Sequence, residues 1–399
     1  MFQVRRGLLI IPFIMITFLG LSPYSQANVA EELKLTQQND QIEKDPIGYE
    51  YLELGLKALE SLNFKQALSH FQTALKMNSQ LAEAYFGIGM VYENLNKDDD
   101  AINSFKKSIQ LSPQLAESHI NLGLIYIKQM RFFDAIEAYY DALIIEPTAE
   151  RAYFGLGVAY QSLGRFEESI DAYNEAITIN PNFADAYNNL GIVLSHVGML
   201  QESIMAYKIA ITIKPDFAEA ALNNMGIAYQ TLGLHDSAIT AFTDAILLDP
   251  EYSKAYYNIG KSFHVTEEYN KAIYAYQKAN QFKPDFSDAY YGLGNAYGSL
   301  GDYKEASKAY MEAIRVNPED AKAYFNLGWS YGRQGNVKKE IAAYNKAIGI
   351  EKDYIKAYLG LGLAYVRSGD KLSAMREYKN LKPLDNELAE TLLKIVDEM

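Results

Sequence analysis

Apolar, aromatic and small residues recur along the chain at an interval of about 34 residues. The segments AYFGLGVAYQSLG at 152–164, AYYGLGNAYGSLG at 289–301 and AYFNLGWSYGRQG at 323–335 share one order of aromatic, glycine and apolar positions. One glycine marks the register, and a single step, from Gly191 to Gly226, is one residue longer than the others. These glycines are Gly55, Gly89, Gly123, Gly157, Gly191, Gly226, Gly260, Gly294, Gly328 and Gly362. The chain is therefore an array of ten repeats, each named below by its glycine.

The spacing within a repeat predicts two helices. When the glycine is counted as position 8, positions 4, 7, 8 and 11 share one face of a first helix, helix A. Positions 20, 24 and 27 share one face of a second, helix B. Glycine at position 15 in six repeats suits the left-handed conformation that ends a helix, and proline at position 32 ends helix B.

The position-8 glycine requires a packing reason, because glycine inside a helix costs about 1 kcal/mol relative to alanine. Position 20 is mostly alanine, so we expect two small residues to face each other across a close helix pair. Tyrosine is abundant, with 32 copies in the chain. Most of them occupy positions 4, 11 and 24, where the pattern predicts packing.

This periodic order of aromatic, glycine, alanine and proline positions resembles the tetratricopeptide repeat family. The resemblance implies an all-α fold, an α-α superhelix of helix-turn-helix pairs, with ten repeats over residues 48–388. Asp385 is predicted to cap one further helix, whose remainder is 389–399, and this helix would cover the last repeat. Residues 28–47 are polar and are predicted to be a linker.

The N-terminus resembles a secretory signal peptide, residues 1–27. Arg5 and Arg6 precede an apolar run, and small residues at Ser25 and Ala27 suit cleavage after Ala27. We therefore expect a periplasmic or secreted protein that is not stably inserted in a membrane once the signal is removed. The alternative is a chain tethered to the membrane by an uncleaved N-terminal segment.

Charge and composition narrow the classes of partner. The formal net charge is −13, which disfavours nucleic acid and anionic lipid as ligands. The chain has no cysteine, which excludes disulfides and thiolate metal sites. Its five histidines occupy five different repeat positions, and no catalytic motif or phosphate loop is present. We therefore predict no enzyme activity, no cofactor and no metal site.

A second stripe of helix A, at positions 5 and 9, is apolar in most repeats. It lies off the predicted packing face, where a solvated helix is normally polar. We expect it to line a partner-binding groove; the alternative is packing between neighbouring A helices. The candidate groove residues on this stripe are Phe86, Met90, Ile120, Phe154, Val158, Tyr257, Tyr291, Asn295, Phe325 and Trp329.

Position 6 adds a polar element beside this stripe. It is asparagine in five repeats: Asn121, Asn189, Asn224, Asn258 and Asn326. An asparagine side chain offers both a donor and an acceptor, as a peptide bond does. In the similar repeats of protein O-GlcNAc transferases, such asparagines grip extended peptides by their backbone, so the resemblance implies five backbone clamps. A polar contact within the fold is the alternative.

Two irregularities interrupt the array. The extra residue near Ala221 predicts either a bulge in a helix A or a longer turn before it. Glu340 takes the small position 20, which predicts looser packing or a polar partner for its carboxylate.

The function predicted is therefore a scaffold that binds an extended or helical segment of a partner protein in the groove. The alternative is a self-assembling or spacing component of a cell-envelope complex.

Overall fold

The structure is a computed structural model that describes residues 46–399. The predicted signal peptide at 1–27 and all but the end of the predicted linker lie outside these residues. The described part is α-helical apart from one 3-10 turn, Pro215–Phe217, so the all-α prediction is confirmed.

Twenty-one α-helices follow one another in the described part, and successive helices pack as antiparallel pairs. The chain divides into two compact units, one ending at Ile213 and one beginning at Lys214. The N-terminal unit holds α1 (Pro46–Glu60), α2 (Phe64–Met77), α3 (Ala82–Asn94), α4 (Asp98–Leu111), α5 (Ala116–Lys128), α6 (Phe132–Ile145), α7 (Glu150–Ser162), α8 (Phe166–Ile179), α9 (Ala184–His196) and α10 (Leu200–Ile213). The C-terminal unit holds α11 (Glu219–Thr231), α12 (His235–Leu248), α13 (Ser253–Val265), α14 (Tyr269–Phe282), α15 (Ser287–Ser299), α16 (Tyr303–Val316), α17 (Ala321–Arg333), α18 (Val337–Ile350), α19 (Ile355–Ser368), α20 (Lys371–Leu381) and α21 (Asn386–Asp397).

The turn between helices A and B has a left-handed residue at position 15 in every repeat. The predicted glycines adopt this conformation, with φ between 73° at Gly164 and 85° at Gly198. The four repeats that lack glycine adopt it as well, at Leu62, Asn96, Met130 and Glu267. The turn geometry is therefore common to all repeats, even where the side chain disfavours it.

A buried aromatic ring at position 24 forms the core of each helix pair in nine repeats. In the Gly157 repeat, a Cβ atom on the glycine would lie 2.5 Å from the Tyr173 ring, which is completely buried. The hydroxyl of Ser169, at position 20, donates to the Gly157 carbonyl over 2.8 Å. Positions 8 and 20 therefore do face each other, as predicted, but the ring at position 24 is what leaves no room for a side chain on the glycine.

The same ring also contacts the following repeat. Where position 6 is glycine, its missing Cβ makes room for the ring of the preceding repeat, as at Gly155 against Tyr139 and Gly360 against Tyr344. Each such ring is thus held between its own position 8 and the next position 6, and this contact links consecutive repeats into a solenoid.

The extra residue near Ala221 lies in a turn and not in a helix bulge. Helix α11 has 13 residues, as α7 and α9 do, and its glycine, Gly226, is again the eighth residue. The segment before α11 is lengthened by the 3-10 turn Pro215–Phe217. The longer turn absorbs the insertion, and the packing face of α11 keeps its register.

The last helix covers the final repeat, as predicted. Asp385 accepts a hydrogen bond from the Leu388 N–H over 3.0 Å and caps α21. Leu392 is fully buried, and one of its methyl carbons would lie 2.5 Å from a Cβ on Gly362. In this repeat the leucine of the capping helix takes the place that a position-24 ring has in the others.

Candidate functional site

The position-5 stripe is part of the helix-pair core. The Phe86 and Phe154 side chains are 0% and 2% exposed, and Ile120 is buried as well. The Phe154 ring lies 5.7 Å from Tyr173, at position 24, and 4.9 Å from Phe183. The expectation that position 5 lies off the packing face is wrong, because positions 5 and 8 are three residues apart and share a helix face.

The C-terminal unit repeats this packing at its own position-5 rings, which are only half-buried. Tyr257 lies 5.9 Å from Tyr276, and Tyr291 lies 5.8 Å from Tyr310, measured between ring centroids. Phe325 lies between the rings of Tyr344 and Tyr354, at 5.5 and 5.4 Å. Each ring therefore serves the core while part of its surface remains accessible to solvent.

Position 9 separates the two units more clearly. Met90 and Val158 in the N-terminal unit are buried. In the C-terminal unit, Asn295 is half-buried, whereas Ile227 is 38% and Trp329 41% exposed. Among the candidate groove residues, Trp329 therefore has the most exposed large apolar side chain.

The asparagines at position 6 make contacts within the fold. The Asn326 amide donates to the Tyr291 hydroxyl over 2.9 Å and to Asn295 Oδ1 over 3.3 Å. The Tyr310 hydroxyl donates to the same Asn295 oxygen over 2.7 Å. These bonds occupy the amide donors that a peptide clamp would need, which favours the structural alternative at Asn326.

The other asparagines at position 6 differ in their surroundings. Asn258 is buried and donates to Asn223 Oδ1 over 3.0 Å, and Asn121 Oδ1 accepts a bond from Arg151 over 3.1 Å. Asn189 accepts one from the neighbouring residue in the chain, Asn188, over 3.3 Å. Asn224 is half-buried.

Two adjoining cavities flank Trp329 in the C-terminal unit. The first, of about 550 Å³, lies between α17, α18 and α19, and we call it the α18–α19 cavity. The second, of about 500 Å³, is lined by residues of α13, α15, α16, α17 and α19, among them His264 and Asn326. Both are lined by Phe325, Trp329 and Lys356. We define these two cavities and their shared wall as the Trp329 groove.

Glycine at position 12 makes room for this groove. Gly298 has no side chain, and a Cβ there would lie 3.7 Å from the Trp329 ring. The indole packs edge-on against Tyr303, with the ring centroids 5.2 Å apart. The Arg333 guanidinium lies 5.0 Å from the centroid of the same Tyr303 ring. These contacts hold the Trp329 indole in one position, and much of the indole remains exposed.

Glu340 lines the α18–α19 cavity from within the fold. The residue is 1% exposed, and its Oε1 accepts a hydrogen bond from the guanidinium of Arg367, so the predicted polar partner exists. A Cβ on Gly332 would lie 2.5 Å from this oxygen. Oε2 is buried without a hydrogen-bond partner in the described residues. Burial raises the pKa of Glu340, and the charge of Arg367 opposes the rise.

The N-terminal unit has a different polar cluster on its A helices. Arg151 on α7 donates to Glu117 over 2.6 Å, and both side chains are largely buried. Nearby, burial raises the pKa of Glu93 on α3 to about 7, with the charges of Arg151 and Lys128 opposing the rise. Arg151 and Glu117 occupy the same repeat position, position 2, in consecutive repeats, whereas Glu93 is at position 12 of the repeat before them. The spacing along the sequence does not show that these three side chains come together.

Models of a single repeat family match the chain along most of its length. Five models, each described as tetratricopeptide repeat or TPR repeat, match residues 94–129, 150–183, 172–205, 219–252, 263–301 and 291–355. The matched segments together cover more than half of the chain. The chain belongs to the tetratricopeptide repeat (TPR) family. TPR proteins mediate protein–protein interactions and are typically non-enzymatic.

Solved TPR structures resemble this chain in parts. The C-terminal part of a TPR protein from Cytophaga hutchinsonii matches 61% of this chain and 99% of its own length, with 19% identity and a TM-score of 0.52, and it supports the fold. MamA matches 43% of this chain and 94% of its own length at 29% identity, with a TM-score of 0.40. YrrB, described as a TPR protein with an unusual peptide-binding site, matches 47% and 96% at 24% identity, with a TM-score of 0.41. No curated protein matches the chain in sequence.

The part of the TPR array that the structure describes contains neither a cluster of metal ligands nor a membrane-spanning helix. Over residues 46–399, no three His, Asp or Glu side chains are grouped as metal ligands. In the same range, none of the helices combines the length and apolar character required for a membrane crossing.

The cationic side of the Trp329 groove was not anticipated from the TPR pattern. Arg333, Lys356 and Arg367 line the α18–α19 cavity together with Glu340. The sequence does contain a signal for the space in the Trp329 groove. Position 12 of helix A is glycine at Gly298 and Gly332, whereas the other repeats have a larger residue there.

Proposed function

We propose that this TPR protein is a non-enzymatic scaffold that binds an extended or helical segment of a partner protein in the Trp329 groove. The observation that carries the proposal is the exposed indole of Trp329, which is shared by two cavities on one face of the C-terminal unit. Exposed tryptophans in pockets are typical binding hot spots, and concave sites of this size accommodate side chains of a ligand.

The two units have different roles in this proposal. The groove positions of the N-terminal unit, such as Phe86, Phe154 and Val158, are buried and serve stability. In the C-terminal unit, Tyr257, Tyr291, Asn295, Phe325, Asn326 and Trp329 remain partly accessible and would contact the partner, whereas Asn258 is buried. We further propose that the protein acts outside the cytoplasm, in the periplasm or after secretion, on the strength of the signal-like residues 1–27.

The indole itself can report the binding. Trp329 is the only tryptophan in the chain, so its fluorescence isolates this site from the 32 tyrosines. We expect a partner segment to change the emission of Trp329 on titration, and Trp329→Ala to weaken capture by about 2 kcal/mol or more. Circular dichroism and the melting temperature of this variant are expected to stay close to wild type, since the side chain is 41% exposed.

The matched control is Phe154→Ala. Its ring is 2% exposed and packs on Tyr173, so its removal is expected to cost about 3–5 kcal/mol of stability. Partners are first obtained by crosslinking in the intact envelope with mass spectrometry, and their segments are then titrated as synthetic peptides. Equal capture by wild type and Trp329→Ala would refute binding in the Trp329 groove.

One further observation favours self-assembly as a second function. Helix α6 exposes Phe133, Tyr140 and Ile144, at 71, 48 and 80%, with spacings that place them on one helix face. A second copy of the chain would bury this face. Light scattering over a concentration series tests it: Ile144→Ser is expected to reduce the apparent mass only if α6 is an interface.

A further inference from the structure

The α18–α19 cavity carries an excess of positive charge in an acidic protein. Arg333, Lys356 and Arg367 line it, whereas Glu340 is its one carboxylate. The chain as a whole has a formal net charge of −13. A local field of the opposite sign, in a concave site with low-dielectric walls, attracts negative groups and repels positive ones.

The three cations are not equivalent. Arg367 is held by Glu340, whose buried carboxylate accepts one of its N–H groups, while the arginine side chain remains 47% exposed. A guanidinium has five N–H donors, so this anchor fixes Arg367 and leaves others for a ligand. Within the described residues, Arg333 and Lys356 have no carboxylate within ion-pair distance, so their charges are uncompensated by the fold.

The rest of the cavity wall is apolar. Trp329 and Phe325 form one side on α17, Tyr344 contributes from α18, and Leu359 and Leu363 complete it on α19. A ligand that suits this surface has an anionic group for the cations and an adjacent apolar group for the aromatic and leucine side chains. The lining residues come from three helices. The cavity can therefore contact the anionic and the apolar group of a ligand together only when α17, α18 and α19 are packed.

We propose that the α18–α19 cavity is a specificity pocket that selects partner segments carrying an aspartate or glutamate next to a large apolar residue. The inference rests on the proposed function, because it names the chemistry of the segment that the Trp329 groove takes. Charge complementarity decides between acidic and basic segments, since a lysine in this cavity would face three like charges.

The test uses the full-length protein and three synthetic peptides that differ at one residue. Their central pair is Leu-Glu, Leu-Gln or Leu-Lys, and binding is followed by Trp329 fluorescence at low and high salt. We expect the Leu-Glu peptide to bind about tenfold or more tightly than Leu-Gln, with salt weakening this preference, and Leu-Lys to bind most weakly.

A charge swap locates the preference. Lys356→Glu is expected to reverse the order of the Leu-Glu and Leu-Lys peptides. Lys322→Glu is the matched control, because Lys322 has the same repeat position one helix A earlier, is exposed and lines neither cavity. The control is expected to keep the wild-type order, and an equal response of both variants would overturn the pocket assignment in favour of a general surface field.

The outcomes also separate this inference from the proposed function. If the three peptides bind with equal affinity and Trp329→Ala, followed by titration calorimetry because it has no tryptophan, abolishes binding of all of them, the groove binds segments but the acidic specificity is wrong. If no peptide changes the Trp329 emission, and segments of crosslinked partners do not either, both proposals fail. If inorganic phosphate alone reproduces the emission change and displaces the Leu-Glu peptide, the cavity is an anion site for small ligands and the peptide specificity is wrong.

Discussion

Single side chains at repeated positions give this array its local chemistry. Position 20 holds a small residue elsewhere in the array but Glu340 in the Gly328 repeat, and the carboxylate occupies space that Gly332 leaves. Its bond to Arg367 forms an ion pair between consecutive repeats. Two departures from the pattern therefore compensate each other, and together they place a fixed guanidinium beside Trp329.

Glu93 is a residue whose ionisation depends strongly on its burial. Burial raises its pKa from 4.5 to about 7, so the folded chain keeps a proton that the unfolded chain releases in this interval. The stability that neutral Glu93 contributes is complete below about pH 4.5 and is lost as the pH rises to about 7.

We expect Glu93→Gln to remove this pH dependence. The free energy of unfolding of wild type relative to the variant should fall between about pH 4.5 and about pH 7, because in this interval only the unfolded wild type has lost the proton. Urea denaturation at several pH values measures it. Glu50→Gln, at an exposed site on α1, is the control and should run parallel to wild type. Parallel curves for Glu93→Gln as well would show that the carboxyl is not perturbed by burial.

The helix pair is the element at which sequence and structure agree best. Helix A and helix B recur with the predicted register, and the left-handed turn occurs with or without glycine at position 15. The packing partner of the position-8 glycine was predicted only in part. The recurring residues do not show whether position 20 or position 24 of helix B fills the space beside the glycine.

Two glycines within helices separate the effect of side-chain packing on stability from the effect of helix propensity. Gly157 faces the Tyr173 ring at 2.5 Å, whereas a Cβ on Gly349 in α18 would meet no atom within 4 Å. Gly157→Ala is therefore expected to destabilise by about 1–3 kcal/mol through overpacking. Gly349→Ala is expected to stabilise by about 0.5–1 kcal/mol through helix propensity. Denaturant midpoints of both variants test this, and the same sign at both sites would contradict it.

At the scale of the whole molecule, the array depends on covering its last repeat. Repeat proteins are stabilised mainly by contacts between neighbours, so a terminal repeat without a cap exposes an apolar face. Helix α21 covers that face through Ala389, Leu392 and Val396, which are all fully buried.

Leu392→Ala should therefore destabilise the C-terminal end first. The expected cost is about 2–5 kcal/mol, as for other buried leucines, and amide hydrogen exchange in α19 to α21 should accelerate before that of α13 to α16. Leu372→Ala is the control, since Leu372 is 86% exposed and its loss should be nearly neutral. Uniform acceleration throughout the C-terminal unit would indicate that the cap does not act locally.

The sequence by itself determined the repeat, the helix pairs and the turns, because these follow from local spacing that recurs ten times. It also determined the capping helix, through the N-cap residue Asp385. It also singled out Glu340 as a departure from the pattern and named Trp329 among the candidate groove residues. Only the tertiary structure decided which stripe residues are accessible: Phe86 and Phe154 are buried by rings from helix B and from the end of the repeat, while Trp329 is not. Exposure and charge pairing depend on side chains from several helices at once. The spacing of residues along the sequence does not show how these side chains fill the space between the helices.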